Sequence, residues 1–92
     1  MDKSLSIIGE NEISQLHQTI GIVVKKLREE QNISQLDMAL SIGIKSVAFY
    51  SNCENNKYDK HFNVEHLYKI VEILGVSLSV FFLEVEGVDK QN

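Results

Sequence analysis

Few residues in this chain of 92 are equipped for chemistry. Cys53, His61 and His66 are of the types that bind zinc and fall close together in sequence. No fourth ligand accompanies them, their spacing fits no standard site, and His17 is remote in sequence. A small buried hydrophobe is therefore the expectation for Cys53, and His61-Phe62 is expected to dock its loop onto the helix that follows. There is no Ser–His–Asp arrangement, no phosphate-binding glycine loop and no paired carboxylates suited to acid–base work. Neither catalysis nor a metal or cofactor is expected. What remains is hydrogen-bonding chemistry. The amides and hydroxyls of Gln35, Ser46, Ser51, Asn52, Asn55 and Asn56 gather with Lys45 and Lys57 in one short region. At its centre lies SVAFYSNCE, residues 46–54, without a charge until Glu54.

The elements that hold these groups are legible as helices. Residues 13–31 place Ile13, Leu16, Ile20, Val23, Val24 and Leu27 at three- and four-residue steps, one face of a helix. Gly21 weakens that helix or marks close packing, and Asn32 suits a left-handed end. Ser34 reads as an N-cap with Asp37 in its first turn. The helix behind it, Gln35 to about Ser41, is expected to turn Leu36, Ala39 and Leu40 inward. Gly43 breaks it, and Ser46 caps a third helix running to about Glu54. The polar stretch ENNKYDKHFN is a loop. Asn63 then caps a fourth, strongly apolar helix containing Val64, Leu67, Tyr68, Ile70, Val71, Ile73 and Leu74, which Gly75 closes. Beyond it the signals conflict. Ser77 suits a cap, yet Val76, Leu78 and Val80 alternate with serines in a strand period. A short helix over about 78–83 with an extended tail after it is the expectation. Phe81–Val88 has two readings: a frayed acidic tail, or a dimerisation strand pairing with Leu5–Ile8 or with its own symmetry mate.

Two helices joined by a tight glycine-containing turn make a helix-turn-helix unit. Here the spacing is Gln35-x-x-x-Ala39-x-x-x-Gly43. Ala39 is small where the next helix crosses, Gly43 permits the sharp turn, and Gln35 can reach a phosphate. The motifs Leu27-Arg28, Ile33-Ser34-Gln35, Ala39 and Gly43, and Leu74-Gly75-Val76-Ser77-Leu78 with Phe81 or Phe82 together resemble the Cro/repressor-type (XRE) helix-turn-helix family over about residues 20–83. The resemblance implies an all-α, five-helix repressor-like domain over 13–83. An N-terminal arm (1–12) would precede it and an acidic C-terminal tail (84–92) would follow, both extended, with the option of a short C-terminal strand. It also implies that Arg28 braces the fold through an acidic residue, for which Glu54 is the candidate. Two features depart from the family: the stretch from Gly43 to Glu54 is slightly longer, and Asn55-Asn56 replaces the glycine that often follows that Glu. Asn also adopts left-handed turns. The longer stretch leaves the register of helix three open by one residue.

Helical geometry narrows that register. Phe49, Tyr50 and Cys53 share one face suited to the core, and Val47, Ala48, Ser51 and Asn52 fall opposite. On the family's reading these four contact bases in the major groove. Val47 and Ala48 meet thymine methyls, Asn52 can bond adenine through both its amide groups, and Ser51 can bond several base edges. Gln35, Lys45 and Ser46 before the helix, with Asn55, Asn56 and Lys57 after it, are the phosphate candidates. Double-stranded DNA with A·T-rich palindromic half-sites is the expected partner, bound by a homodimer of a small bacterial or phage transcriptional regulator acting as a repressor. Lys25 and Lys26 belong to a solvated helix face.

Composition sets the alternative. Net charge is −4, which opposes non-specific nucleic-acid binding. Residues 1–14 carry net −2 and residues 61–92 net −3, leaving net +1 over 15–60. With no arginine in the reading helix, a protein-interaction module of antitoxin or anti-repressor type is the rival reading. Hydrophobic content of 43% indicates one globular domain. A single cysteine fits a reducing compartment. No bilayer-length apolar run and no signal peptide are evident, so the cytoplasm is expected.

Overall fold

A computed structural model of the chain describes residues 9–91. It is all-α, with α1 at Glu10–Glu30, α2 at Gln35–Ser41, α3 at Val47–Asn55, α4 at Val64–Leu74 and α5 at Leu78–Gln91. The expected pairing of Leu5–Ile8 lies outside the described residues.

Local chemistry explains most helix ends. α1 begins at Glu10, before the apolar pattern does, because the Glu12 carboxylate accepts the Gly9 N–H at 3.0 Å and acidic residues favour a helix N-terminus. The hydroxyl of Ser34 accepts the Asp37 N–H at 3.0 Å, and that of Ser46 accepts the Phe49 N–H at 3.1 Å, as the cap readings require. At α4 the cap is reciprocal. Asn63 Oδ1 accepts the His66 N–H at 2.7 Å while His66 Nδ1 accepts the Asn63 N–H at 3.1 Å, so a histidine stands in for the usual Glu or Gln. α1 ends just before Asn32, at φ 59°, and α4 ends at Gly75, at φ 74°. The freed Leu74 carbonyl accepts the Gln31 side-chain amide at 2.7 Å.

One core forms where the helices converge, around Val23, Val24, Met38, Tyr50, Ile70, Phe81 and Val85, all of them buried. α1 supplies Ile20, Val23 and Val24 to it, but its first turns leave Ile13 and Leu16 exposed. α2 departs from expectation in its facing. Ala39 is buried, but Met38 is its inward partner, and Leu36 and Leu40 are exposed at 51% and 58%. At about 100° per residue, an inward direction between positions 38 and 39 leaves 36 and 40 well round the cylinder.

α5 is the second departure. It continues as helix to Gln91, in place of a short helix over 78–83 and an extended or strand-forming tail. No strand occurs among the described residues. Phe81 and Val85 are fully buried one turn apart, Val88 is half-buried a turn later, and Asp89 accepts the Thr19 hydroxyl at 2.8 Å. Together with the Lys26–Glu84 pair at 3.4 Å, these contacts lay α5 antiparallel along α1. Packing at helical spacing against α1 overrides the strand-like propensity of Val and Phe. No helix among the described residues is long and apolar enough to cross a membrane.

Candidate nucleic-acid interface

Positioning of α3 depends on Glu54. Its side chain is fully buried, and its carboxylate accepts four hydrogen bonds. Arg28 clasps it through Nε at 3.0 Å and Nη2 at 2.9 Å, the Tyr50 hydroxyl donates at 2.7 Å, and Gln35 Nε2 donates at 3.1 Å. Arg28 Nη1 in turn donates to the Ile33 carbonyl at 2.7 Å. One carboxylate thus ties α3 to α1, to the α1–α2 turn and to the start of α2. Burial alone would raise the Glu54 pKa, but the bonds from Arg28, Tyr50 and Gln35 outweigh it and hold it below the ordinary carboxylate value. The hydrogen bond to Glu54 stabilises charged Arg28, and burial raises the Tyr50 phenol. The bracing expected of Arg28 and Glu54 is present. The parts played by Tyr50 and Gln35 were not legible, because each depends on a side chain folding back onto a residue fixed by a distant contact.

Gly21 completes the arrangement. A Cβ there would overlap the Glu54 carbonyl oxygen and stand 3.0 Å from its carbon. The missing side chain is what lets the end of α3 lie against the middle of α1.

The register of α3 follows. Tyr50, Cys53 and Glu54 are buried and Phe49 is half-buried. Burial raises the Cys53 thiol pKa, as for an inert core cysteine. Val47 and Ala48 are exposed, and Ser51 and Asn52 are half-buried on the side away from Tyr50 and Cys53. Among the described residues the Asn52 amide has no hydrogen-bond partner, whereas the Ser51 hydroxyl is engaged by Asn55 Nδ2 at 3.2 Å. That same Asn55 nitrogen also donates to the Ser51 carbonyl at 3.0 Å.

The other candidates separate into two groups around this helix. Lys45 and Ser46 are exposed at its N-terminus, with the Ser46 hydroxyl occupied as a cap. Asn55 and Lys57 are exposed at its C-terminus, flanking Asn56, which takes the left-handed φ of 55° foreseen for the Asn pair. The Lys57 N–H returns to the Asn52 carbonyl at 2.8 Å and closes the turn. Gln35 is half-buried and donates one amide proton to Glu54.

The zinc candidates do not converge. Cys53 is in the core, His66 caps α4, and no group of three or more potential ligands comes together among the described residues. Of the His61-Phe62 pair expected to dock its loop onto α4, Phe62 meets that helix edge-on at His66, 6.1 Å away, whereas His61 turns to α1. It stacks on His17 of α1 with ring centroids 3.7 Å apart, while Phe62 enters the core against Tyr50 at 5.3 Å. That partnership between residues distant in sequence leaves no sequence signal.

No curated protein and no solved structure gives a significant match. A helix-turn-helix family model matches residues 24–81, from the middle of α1 into the first turn of α5. With the capped α2–α3 pair, its glycine turn and the outward face of α3, that match places the chain in the XRE-type helix-turn-helix family of DNA-binding transcription regulators.

Proposed function

We propose that the protein binds double-stranded DNA sequence-specifically as a homodimer, reads the major groove with α3, and acts as a repressor. The observation that carries this reading is the division of α3 into a buried face locked by Arg28 and Glu54 and an outward face of Val47, Ala48, Ser51 and Asn52. Ala48 and Val47 offer methyl groups to thymine, and Asn52 offers an unpartnered amide to adenine. This vocabulary favours A·T-rich half-sites. Lys45, Ser46, Asn55, Asn56 and Lys57 flank the face at both ends and suit phosphates, with backbone amides at the start of α3 adding donors. Gln35 gives one amide proton to Glu54 and keeps its second for a phosphate. So few cations per subunit favour two copies on half-sites about one DNA turn apart.

The test is fluorescence anisotropy on A·T-rich palindromic, scrambled and G·C-rich duplexes at two salt concentrations. The expected result is preference for the A·T-rich palindromes, with affinity falling as salt rises. Asn52→Ala should cost about 5- to 150-fold, the worth of one bidentate base contact of ~1–3 kcal/mol. Equal binding to the G·C-rich duplex refutes the readout. No binding even at low salt favours the protein-interaction module to which the net charge of −4 and the arginine-free α3 point.

A further inference from the structure

The His17–His61 stack joins α1 to the loop that leaves α3, with planes 17° from parallel. Nδ1 of His17 is buried and has no hydrogen-bond partner among the described residues. The loop leaves α3 through Asn56 and holds two further non-glycine residues, Tyr58 and Asp59, at φ 55° and 56°. Left-handed backbone is disfavoured for such residues, so docking must hold it in place. The loop is anchored by Phe62 in the core and by His61 on α1.

Two neutral imidazoles stack without penalty, and a neutral ring tolerates one buried nitrogen with an unused lone pair. Protonation turns both ring nitrogens into donors. His17 would then carry a buried N–H with no acceptor, in the ring that stacks on the loop. We propose that this stack is an acid-sensitive latch: neutral, it holds the 57–61 loop and the end of α3 against α1; protonated, it releases them and weakens DNA binding. The functional half of the proposal rests on the DNA-binding reading above.

The surrounding charges are few. Glu10 from α1 and Asp59 from the loop line an open groove of about 560 Å³ beside the rings, with neutral Asn56 from α3. Lys57 and Lys60 lie on the same loop, and His66 of α4 meets Phe62 edge-on at 6.1 Å. Burial, and after it the nearness of His61, lower the His17 pKa below the ordinary value. The folded value being depressed, the latch contributes fully above the free-imidazole pKa of about 6.5 and loses its contribution as pH falls through the lower folded value. General electrostatics predicts the opposite trend in DNA affinity, because a protein of net charge −4 becomes less repelled by phosphate as it gains protons.

Two readouts on the full chain test this from pH 7.5 to 5.0. The first follows the imidazole and backbone amide resonances by NMR. The wild type should show the amides of residues 56–62 shifting together with His17 protonation. His17→Phe, which keeps a ring for the stack but cannot charge, should abolish the joint transition. His66→Gln, which retains a capping side chain, should preserve it. The second readout is operator affinity at fixed salt. A free imidazole is about 90% protonated at pH 5.5, which caps the loss through His17 near tenfold at that pH. The wild type should approach that loss and His17→Phe should not. Loop resonances indifferent to His17 titration, or a fall in affinity on acidification that survives in His17→Phe, overturn the latch. If His17→Phe fails to fold, the wild-type resonances still decide. Absence of DNA binding at every pH would refute the DNA-binding reading and this functional half, while the resonances would still decide loop release.

Discussion

Glu54→Gln tests how α3 is held. The substitution changes no volume, but it replaces a carboxylate that accepts four hydrogen bonds in a fully buried position. Neither orientation of the new amide escapes conflict. With its NH2 group at the Oε1 position it faces donors from Arg28 Nη2 and Gln35 Nε2. At the Oε2 position it faces Arg28 Nε and the Tyr50 hydroxyl. In both cases a buried guanidinium loses its counter-charge, a change that typically costs ~3–5 kcal/mol. A chain of this length is expected to have roughly 5–14 kcal/mol of total stability, so the variant should sit close to unfolding. Urea titration followed by far-UV circular dichroism reads this directly. With a slope of about 1–3 kcal/mol per molar, the midpoint should drop by roughly 2 M. The pair Arg28→Met and Glu54→Met closes a double-mutant cycle. The double variant should be less destabilised than the two singles summed, by about 1–3 kcal/mol, because hydrophobic replacement of both partners leaves no orphan charge. The pH dependence has a fixed sign. Since the folded pKa of Glu54 is depressed, its contribution is present above the unfolded value of about 4.3 and is lost as pH falls through the folded one. A Glu54→Gln variant within about 1 kcal/mol of the wild type, together with an additive cycle, would show that the carboxylate behaves as a surface ion pair and refute the argument.

Two further substitutions probe backbone geometry. Gly21→Ala should destabilise by about 1–3 kcal/mol through overlap with the Glu54 carbonyl, although helix propensity alone predicts a gain of about 1 kcal/mol; a raised Tm in thermal unfolding would refute the close approach of α1 and α3. Asn56→Gly should be neutral or mildly stabilising and Asn56→Ala should cost about 1 kcal/mol, because the position holds φ at 55°; equal stability of the two variants in urea would contradict that cap.

The functional consequence of the Glu54 cluster is orientation. The four outward residues of α3 derive their direction from what its other face is fastened to. Arg28 and Gly21 on α1, and Gln35 on α2, all act on that fastening without facing outward from α3 themselves. Variants at these positions should therefore alter DNA affinity through the pose of α3, whereas Asn52→Ala should alter it with stability unchanged.

Sequence alone determined the features whose causes lie within one turn of chain. Ser34, Ser46 and Asn63 cap because their oxygens meet amides three residues on, and Gly43 and Gly75 take positive φ because the turns need it. The inward face of α3 was legible for the same reason, since spacing along one helix suffices to group Tyr50 with Cys53. Tertiary structure decided whatever depends on distant partners. α2 buries Met38 and leaves Leu36 and Leu40 outside, because its neighbours and not its own pattern choose the inward direction. α5 stays helical to Gln91 because α1 offers Phe81, Val85 and Asp89 a surface at helical spacing, where the local composition suggested strand. His17 meets His61, and Gln35 turns from solvent to Glu54, only once the chain has folded. A capping oxygen needs a partner three residues away, whereas a stack or a buried network needs the whole core to bring its members together.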